Sequence, residues 1–436
     1  MKKHTVSLKL TSSLLALSSA NSNELDVLLQ IQGLKSPPTK KRPKLNLSLV
    51  IDVSGSMIGN PIENAKQSAI SLIDRLNEND RLSLVTYSNA AQILSPSIQL
   101  NDNNKILLKS KIHSIRAEGG TALHSGWLHG AQTLAPFVKD YGLSRILLLS
   151  DGQANIGVQD INQIKKEAQQ LLESGIGTSS YGLGISFNEN LMTAISCGGH
   201  AFYAENANQL SAYFDTDFDL MSCVAVKNVF CNIICDVDGA EHEYEVLNDI
   251  MCVNQKYHLP DVIFEGASWM VVRCNIKPQE KASLRMDVSW TSLDGKTEHQ
   301  SILLDLKVAS HSKKNKDKEV SVLEERVKEL FAARIQKEAL AEAQKGQWQN
   351  VNSLINKMSG MANGNAYVAG IAQNMSSLAA TKNVNLMSKE ATYSSHTMST
   401  RSSLINEDVT VSSDCLGLRK IKQGEASPIQ KISKSK

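Results

Sequence analysis

Residues 49 to 61 read LVIDVSGSMIGNP. An apolar run ends on Asp52, then places Ser54 and Ser56 at alternate positions, with Gly55 and Gly59 freeing the backbone to turn sharply between and after them. Alternating side chains on so tight a loop can direct their oxygens into one cavity. Two further segments carry the same kind of chemistry: Gly119-Gly120-Thr121 ahead of a helical stretch, and Ser150-Asp151-Gly152 after the run RILLL. The candidate ligands Asp52, Ser54, Ser56, Thr121 and Asp151 are all hard oxygen donors. Such a set suits Mg²⁺, or Mn²⁺ with the same ligand preference, held octahedrally at about 2.0 to 2.1 Å with some water retained. Two carboxylates only balance the charge of the ion, so a coordination position stays attractive to an acidic group from outside.

Other chemistries compete for these residues. Ser, Asp and Thr also cap helix starts by accepting from free N–H groups, and a capped helix start is the plainest alternative for Asp52, Ser54 and Ser56. Nucleophilic catalysis needs an activating partner, yet Asp52 occupies the place of the first glycine in GxSxG and no paired histidine is evident. No GxxxxGK[ST] is present, and SGIGTSSYGLG lacks the spacing of a dinucleotide loop. His124 and His129 follow Thr121 closely enough to approach a metal there. A Mg²⁺-dependent hydrolase such as a phosphatase is therefore the enzymatic alternative, and a structural scaffold with an idle metal site is a third reading.

The elements that must position these loops follow from periodicity. From Leu45 to about Phe214, strand-like runs (LNLSLVID, RLSLVTYS, RILLLSDG, GTSSYGLG, AFYA) alternate with helical stretches near 62–76 and 105–115, after GGTALHSG to about 139, and over 160–173. That alternation predicts an α/β fold with a doubly wound, mostly parallel sheet covered on both faces, the short AAQILSP strand being the antiparallel exception. Asp52 and Asp151 then stand at carboxyl ends of strands, where open α/β sheets bind ligands. From about residue 219 to 308 the pattern shifts to period two, punctuated by Asp238-Gly239 and Asp294-Gly295, a hairpin signature of a β-sandwich-like module. Residues 1 to 36 alternate in the same way and are expected to complete that sandwich around an inserted α/β domain. The KKRPK stretch reads as a solvated connection. Residues 319 to 380 read as a helical segment broken near Gly346, after a charged linker, and the Ser- and Thr-rich stretch 381 to 436 as a disordered tail.

The run LNLSLVIDVSGSM, with GGTAL and LLLSDGQAN at suitable later intervals, resembles the von Willebrand factor A (VWA) domain and its metal-ion-dependent adhesion site, over residues 44 to 218. The resemblance implies a six-stranded, Rossmann-like sheet with the strands bearing Asp52 and Asp151 as central neighbours. It further implies that Ser54 and Ser56 bind the metal through their hydroxyls, Thr121 directly or through water, and Asp52 and Asp151 largely through water and hydrogen bonds. The implied function is metal-dependent protein–protein interaction, with a partner's Asp or Glu completing the site, and no catalysis. The order of the remaining parts, with RPKLNLSLVIDVSGSM, GWLHGAQTL and SGIGTSSYGLGISFNENLMTAI, resembles bacterial A-domain proteins distantly similar to inter-alpha-trypsin inhibitor heavy chains.

Composition narrows the partners. With 46 Lys and Arg against 44 Asp and Glu over 436 residues, no global field selects nucleic acid or an anionic membrane. No run approaches the roughly 18 apolar residues of a membrane helix. The seven cysteines lie mostly in apolar runs such as NVFCNIICDV and read as reduced core thiols, pointing to the cytoplasm. Cys231 and Cys235 have no second pair with which to hold zinc. MKKHTVSLKLTSSLLALSSANS superficially resembles a signal peptide, which makes a secreted or periplasmic location the alternative, but Lys9 interrupts its apolar part and TVSLKL alternates like a strand.

Overall fold

The computed structural model describes residues 5 to 35, 42 to 278 and 280 to 400, with residues 403 and 404 as a short strand. Three strands open the chain: β1 (Val6–Ser12), β2 (Leu14–Ser18) and β3 (Asn23–Gly33). The α/β unit follows, running β4 (Leu45–Asp52), α1 (Asn60–Arg75), β5 (Arg81–Tyr87), β6 (Ala91–Gln99), α2 (Asp102–Ser114) and α3 (Leu123–Leu134). It continues through β7 (Leu143–Ser150), α4 (Ile161–Glu173), β8 (Ile176–Leu183), α5 (Glu189–Ile195), β9 (Gly198–Ala204) and α6 (Ala207–Ser222).

These strands form one six-stranded sheet in the order β6-β5-β4-β7-β8-β9, parallel throughout except for β6. Residues of β4 and β7 are buried at every position because helices cover both faces, which is why they read as continuous apolar runs. Leu47, Leu49 and Ile51 pack with Ile73 of α1, Leu108 of α2 and Leu210 of α6. Val50, Ile146 and Leu148 pack on the opposite face with Trp127 of α3, Ile164 of α4 and Leu191 of α5. The chain leaves β4 for β5 on one side and reaches β7 on the other, so the strand order reverses between β4 and β7, and a crevice opens at their carboxyl ends.

The remaining strands build a two-sheet sandwich. Its main members are β10 (Val224–Val237), Gly266–Ile276, Ala282–Ser292 and Thr297–Ala309. The opening strands belong to it: β3 pairs antiparallel with Gly266–Ile276 from Gln32↔Ala267 to Asn23↔Ile276, and β2 pairs with the end of Thr297–Ala309. The α/β unit is thus inserted between β3 and β10, and its two ends lie side by side. Glu265 N donates to Gly33 O at 3.1 Å, and Phe264 N donates to Cys223 O at 2.9 Å. Near the amino end of β7, buried Arg145 reaches the sandwich at Asp261 Oδ2 (2.9 Å). The amino ends of the strands therefore face the sandwich, and the carboxyl ends point away from it.

Four helices follow the sandwich strands: α7 (Lys318–Gln344), α8 (Trp348–Met361), α9 (Ala366–Thr381) and α10 (Val384–Thr400). Gly346, at φ +73°, makes the break between α7 and α8. Two sequence expectations need correction. Residues 384 to 400 were expected to be disordered tail, yet they are helix, with Met387, Ala391, Ser395 and Met398 all buried. Five of the nine residues that α10 buries are Ser, Lys or Glu, which weakens its periodicity on a hydropathy scale; Ser394 and Thr400 satisfy their hydroxyls by donating to carbonyls one turn earlier. The rest of the predicted tail lies outside the described residues, apart from 403 and 404. Of the cysteines, Cys197, Cys231, Cys235, Cys252 and Cys274 are free, but Cys223 is disulfide-bonded, which departs from the reading of all of them as reduced thiols.

Helix α3 approaches the sheet through glycines. A Cβ on Gly126 would stand 2.4 Å from the Tyr87 ring, and one on Gly130 would stand 2.6 Å from Val50 Cγ2. Because both neighbours are rigid and buried, Gly130→Ala is expected to cost about 1 to 3 kcal/mol in urea unfolding through overpacking.

Candidate metal centre

Asp52 is the last residue of β4, and its side chain is fully buried. Its Oδ1 accepts from Ser54 N at 2.9 Å, turning the chain immediately after the strand, and its Oδ2 accepts from Ser150 Oγ at 2.8 Å. Ser54 caps a short 3₁₀ turn (Gly55–Met57) by position, but its hydroxyl makes no capping bond and instead lies 3.0 Å from Ser56 Oγ. Helix α1 is capped by Gly59, which has no side chain to offer. The capped-helix account of these serines fails on this geometry. Ser56 Oγ donates to Asp151 Oδ1 at 2.7 Å, joining the first loop to the loop after β7.

Thr121 enters from the third loop, and a network outside the candidate ligands holds it there. Gly119 has φ +83°, and its carbonyl accepts from Gly55 N at 2.9 Å. Asn89 Oδ1 accepts from Gly120 N at 2.7 Å, and Asn155 Oδ1 accepts from Thr121 N at 2.8 Å. The convergence of the three hydroxyls is visible at Gly152. A Cβ placed there would lie 3.1 Å from Ser56 Oγ, 3.6 Å from Thr121 Oγ1 and 3.9 Å from Ser54 Oγ. Glycine at this position leaves open the space that the hydroxyls share.

All five predicted residues therefore come together. Sequence reasoning missed the roles of Ser150, Asn89, Asn155 and Gly152; three of these lie within motifs already singled out, whereas Asn89, on the loop after β5, carried no signal at all. His124 and His129 do not join the centre. His124 Nε2 pairs with Glu167 of α4, and His129 Nδ1 bonds Ser125 O at 2.8 Å within its own helix.

Electrostatics favours a cation. Burial pushes the Asp52 carboxyl up to about 6, against the lowering effect of its bonds from Ser54 and Ser150, and nearby Asp151 adds to the rise. Burial also raises Asp151. Among the described residues, hydroxyls and backbone N–H groups bond these carboxylates, Asp151 acts on Asp52, and no Lys, Arg or His pairs with either. Two adjacent buried carboxylates without a cation of their own, flanked by three hydroxyls, fit a hard divalent ion by charge and by ligand type.

Residues 46 to 216 match the family model of the von Willebrand factor type A domain. This stretch is a VWA domain, a class that commonly serves as a metal-dependent protein-interaction module. An uncharacterized protein of Synechocystis, sll0103, is 35% identical over 196 residues, covering 44% of this chain and 46% of its own. The chain is also distantly related to inter-alpha-trypsin inhibitor heavy chains: human H3 is 24% identical over 249 residues, covering 56% of this chain and 26% of H3. The chain thus spans less than half the length of these curated relatives. Among solved structures, the ArnB paralog VWA2 from Sulfolobus acidocaldarius is 20% identical at a TM-score of 0.61, covering 91% of this chain and 99% of that one. A von Willebrand factor type A protein from Catenulispora acidiphila is 12% identical at a TM-score of 0.63, covering 86% and 90%. At such identities the likeness is one of fold, and it takes in the sandwich and helices as well as the VWA domain.

The raised Asp52 carboxyl sets a pH dependence. The folded state holds this proton more tightly than the unfolded chain does. Its stabilising effect on the metal-free protein is therefore fully present below the ordinary carboxylate value and is lost as pH rises through about 6. A bound cation favours the opposite, ionised form. Thermal melts at pH 5 and pH 7.5 should show a Mg²⁺-induced rise in Tm that is large at the higher pH and small at the lower. In EDTA at pH 7.5, Asp52→Asn should melt above the wild type.

Proposed function

We propose that the VWA domain of this chain binds Mg²⁺, or Mn²⁺, at Asp52, Ser54, Ser56, Thr121 and Asp151, and through the ion captures an Asp or Glu side chain of a protein partner. The observation that carries this reading is the convergence of three hydroxyls at Gly152 beside two buried carboxylates with no cation of their own among the described residues. Ser56 is exposed while Asp52, Ser54 and Thr121 are buried, so the centre opens to solvent on one side only. That geometry suits a ligand arriving from outside. Ser56 and Ser54 supply hydroxyl oxygens, Asp151 accepts the Ser56 proton and so turns the hydroxyl oxygen toward the ion, and Asp52 with Ser150 fixes the first loop from beneath.

The binding reading is preferred to hydrolysis because both nearby histidines are engaged elsewhere, leaving neither serine a histidine to activate it. The outward placement of the centre, at the pole opposite the sandwich, also suits a protein partner better than a small substrate. The cell compartment we favour is the cytoplasm, because five of the described cysteines are free thiols against one, Cys223, in a disulfide.

Calorimetry should give saturable Mg²⁺ binding by the wild type, weakened at least tenfold by Ser56→Ala and by Asp151→Ala, with far-ultraviolet circular dichroism unchanged. Partner capture from lysate should be lost in EDTA. A wild-type chain that binds no divalent ion, or Mg²⁺-dependent phosphoester turnover that Asp52→Ala removes, would refute the reading.

A further inference from the structure

The α/β unit, the sandwich and the C-terminal helices meet around a cavity of about 590 Å³. It lies toward the amino ends of the strands: Arg145, which lines it, precedes Asp151 by six residues along β7, about 20 Å at about 3.3 Å per residue. The metal centre is thus at the other end of the sheet. A cavity of this size is within the range that holds a small organic molecule. Its apolar wall includes Ile250, Met251 and Leu340, and its polar wall combines groups from all three units.

The hydrogen-bonding balance of that polar wall is one-sided. Both carboxylates in the lining already have cations: Asp261 is bonded by Arg145 at 2.9 Å, and Asp249 is bonded by Lys337 of α7. What remains over is a lysine and two imidazole rings, His396 and His258, the latter unpartnered at Nε2. Lys165, exposed on α4, makes no ion pair among the described residues, and the His396 imidazole of α10 has no hydrogen-bond partner among them. Lys165, Lys337 and His396 all act on Asp249, so they gather at one end of the cavity. Buried Arg145, also in the lining, keeps Nε unbonded. Arg145 is matched by Asp261 and by buried Asp217, so the imbalance lies at the Asp249 end, where two permanent positive charges, Lys165 and Lys337, face one carboxylate.

From this surplus we propose that the junction cavity is a second ligand site, for a small organic anion whose carboxylate or phosphate group sits among Lys165, Lys337 and His396 with its apolar body against Ile250 and Leu340. The site depends on all three units, because α4, the loop at Asp249, α7 and α10 each contribute a side chain. Its occupant ties them together and stabilises their arrangement by mass action.

The test uses the full chain in EDTA, which removes any contribution from the metal centre and makes the outcome independent of the function proposed above. Inorganic phosphate and succinate serve as probes for the two anion types, with succinamide as the uncharged control, followed by calorimetry and thermal melts. Saturable binding of either anion is expected, with Kd raised at least tenfold by Lys165→Gln and by His396→Gln, and no response to succinamide. Lys165 is exposed, so its substitution leaves the fold intact should His396→Gln fail to fold. Comparable binding of succinamide, an anion response that Lys165→Gln leaves unchanged, or no saturable response to either anion would each overturn the proposal.

Discussion

A carboxylate with no exposed surface ends the central strand of this molecule, and the rest of the α/β unit is arranged around it. Asp52 gives one oxygen to Ser54 N and the other to Ser150 Oγ, so the charge is shared between the turn that leaves β4 and the end of neighbouring β7. Hydrogen bonds of this kind lower the cost of burying the ion without removing it, and the raised carboxyl shows that burial still wins. The residual penalty stays within the local network and favours whatever cation can approach from the solvent side. The centre is in that sense less stable than it would be with a lysine beside Asp52, and responsive to metal for the same reason.

Placing Thr121 opposite this carboxylate makes demands well beyond the loop that carries it. The hydroxyl reaches its position because α3 lies close on the sheet, and the close approach requires hydrogen in place of a side chain at Gly126 and Gly130. The loop itself is fixed by two asparagine side chains from different strand ends, Asn89 after β5 and Asn155 after β7. Glycines in the helix and amides in the loops thus do at a distance what the ligands cannot do themselves. None of these residues would touch an ion, yet each determines where an oxygen lies.

Much of this was legible in the sequence. The doubly wound sheet follows from alternating strand and helix periods, and the neighbouring positions of Asp52 and Asp151 follow from the family resemblance, because the motifs that carry both are local. Ser150 and Asn155 stand inside those motifs but reveal their roles only through hydrogen bonds to residues 98 and 34 positions away. Helix α10 was hidden for a different reason. Its buried face uses Ser, Lys and Glu satisfied by partners from elsewhere in the chain, such as Lys389 with Glu189 of α5, and a hydropathy pattern cannot register a polar group whose partner is 200 residues away. The junction cavity is illegible in principle, since it exists only where segments from three units meet.

The double tether of the inserted domain explains why the metal centre faces outward. Entry at Gly33 and exit at Cys223 are both bonded to the short segment at residues 264 and 265, so the unit leaves the sandwich and returns to it at one place. Two adjacent connections alone would let it swing. Arg145 bonded to Asp261 fixes the amino ends of the strands against the sandwich, while Lys389 and Ser388 of α10 hold Glu189 just beyond β8. The same helix lines the junction cavity with His396 and, two turns earlier, bonds the carbonyl of Phe187. The loop there also accepts from Gln153, two residues past Asp151, at Ser186 O (2.7 Å). One rigid element therefore runs from the cavity at one end of the sheet to the rim of the metal centre at the other. The orientation of the VWA domain and the shape of that rim are set by the same contacts.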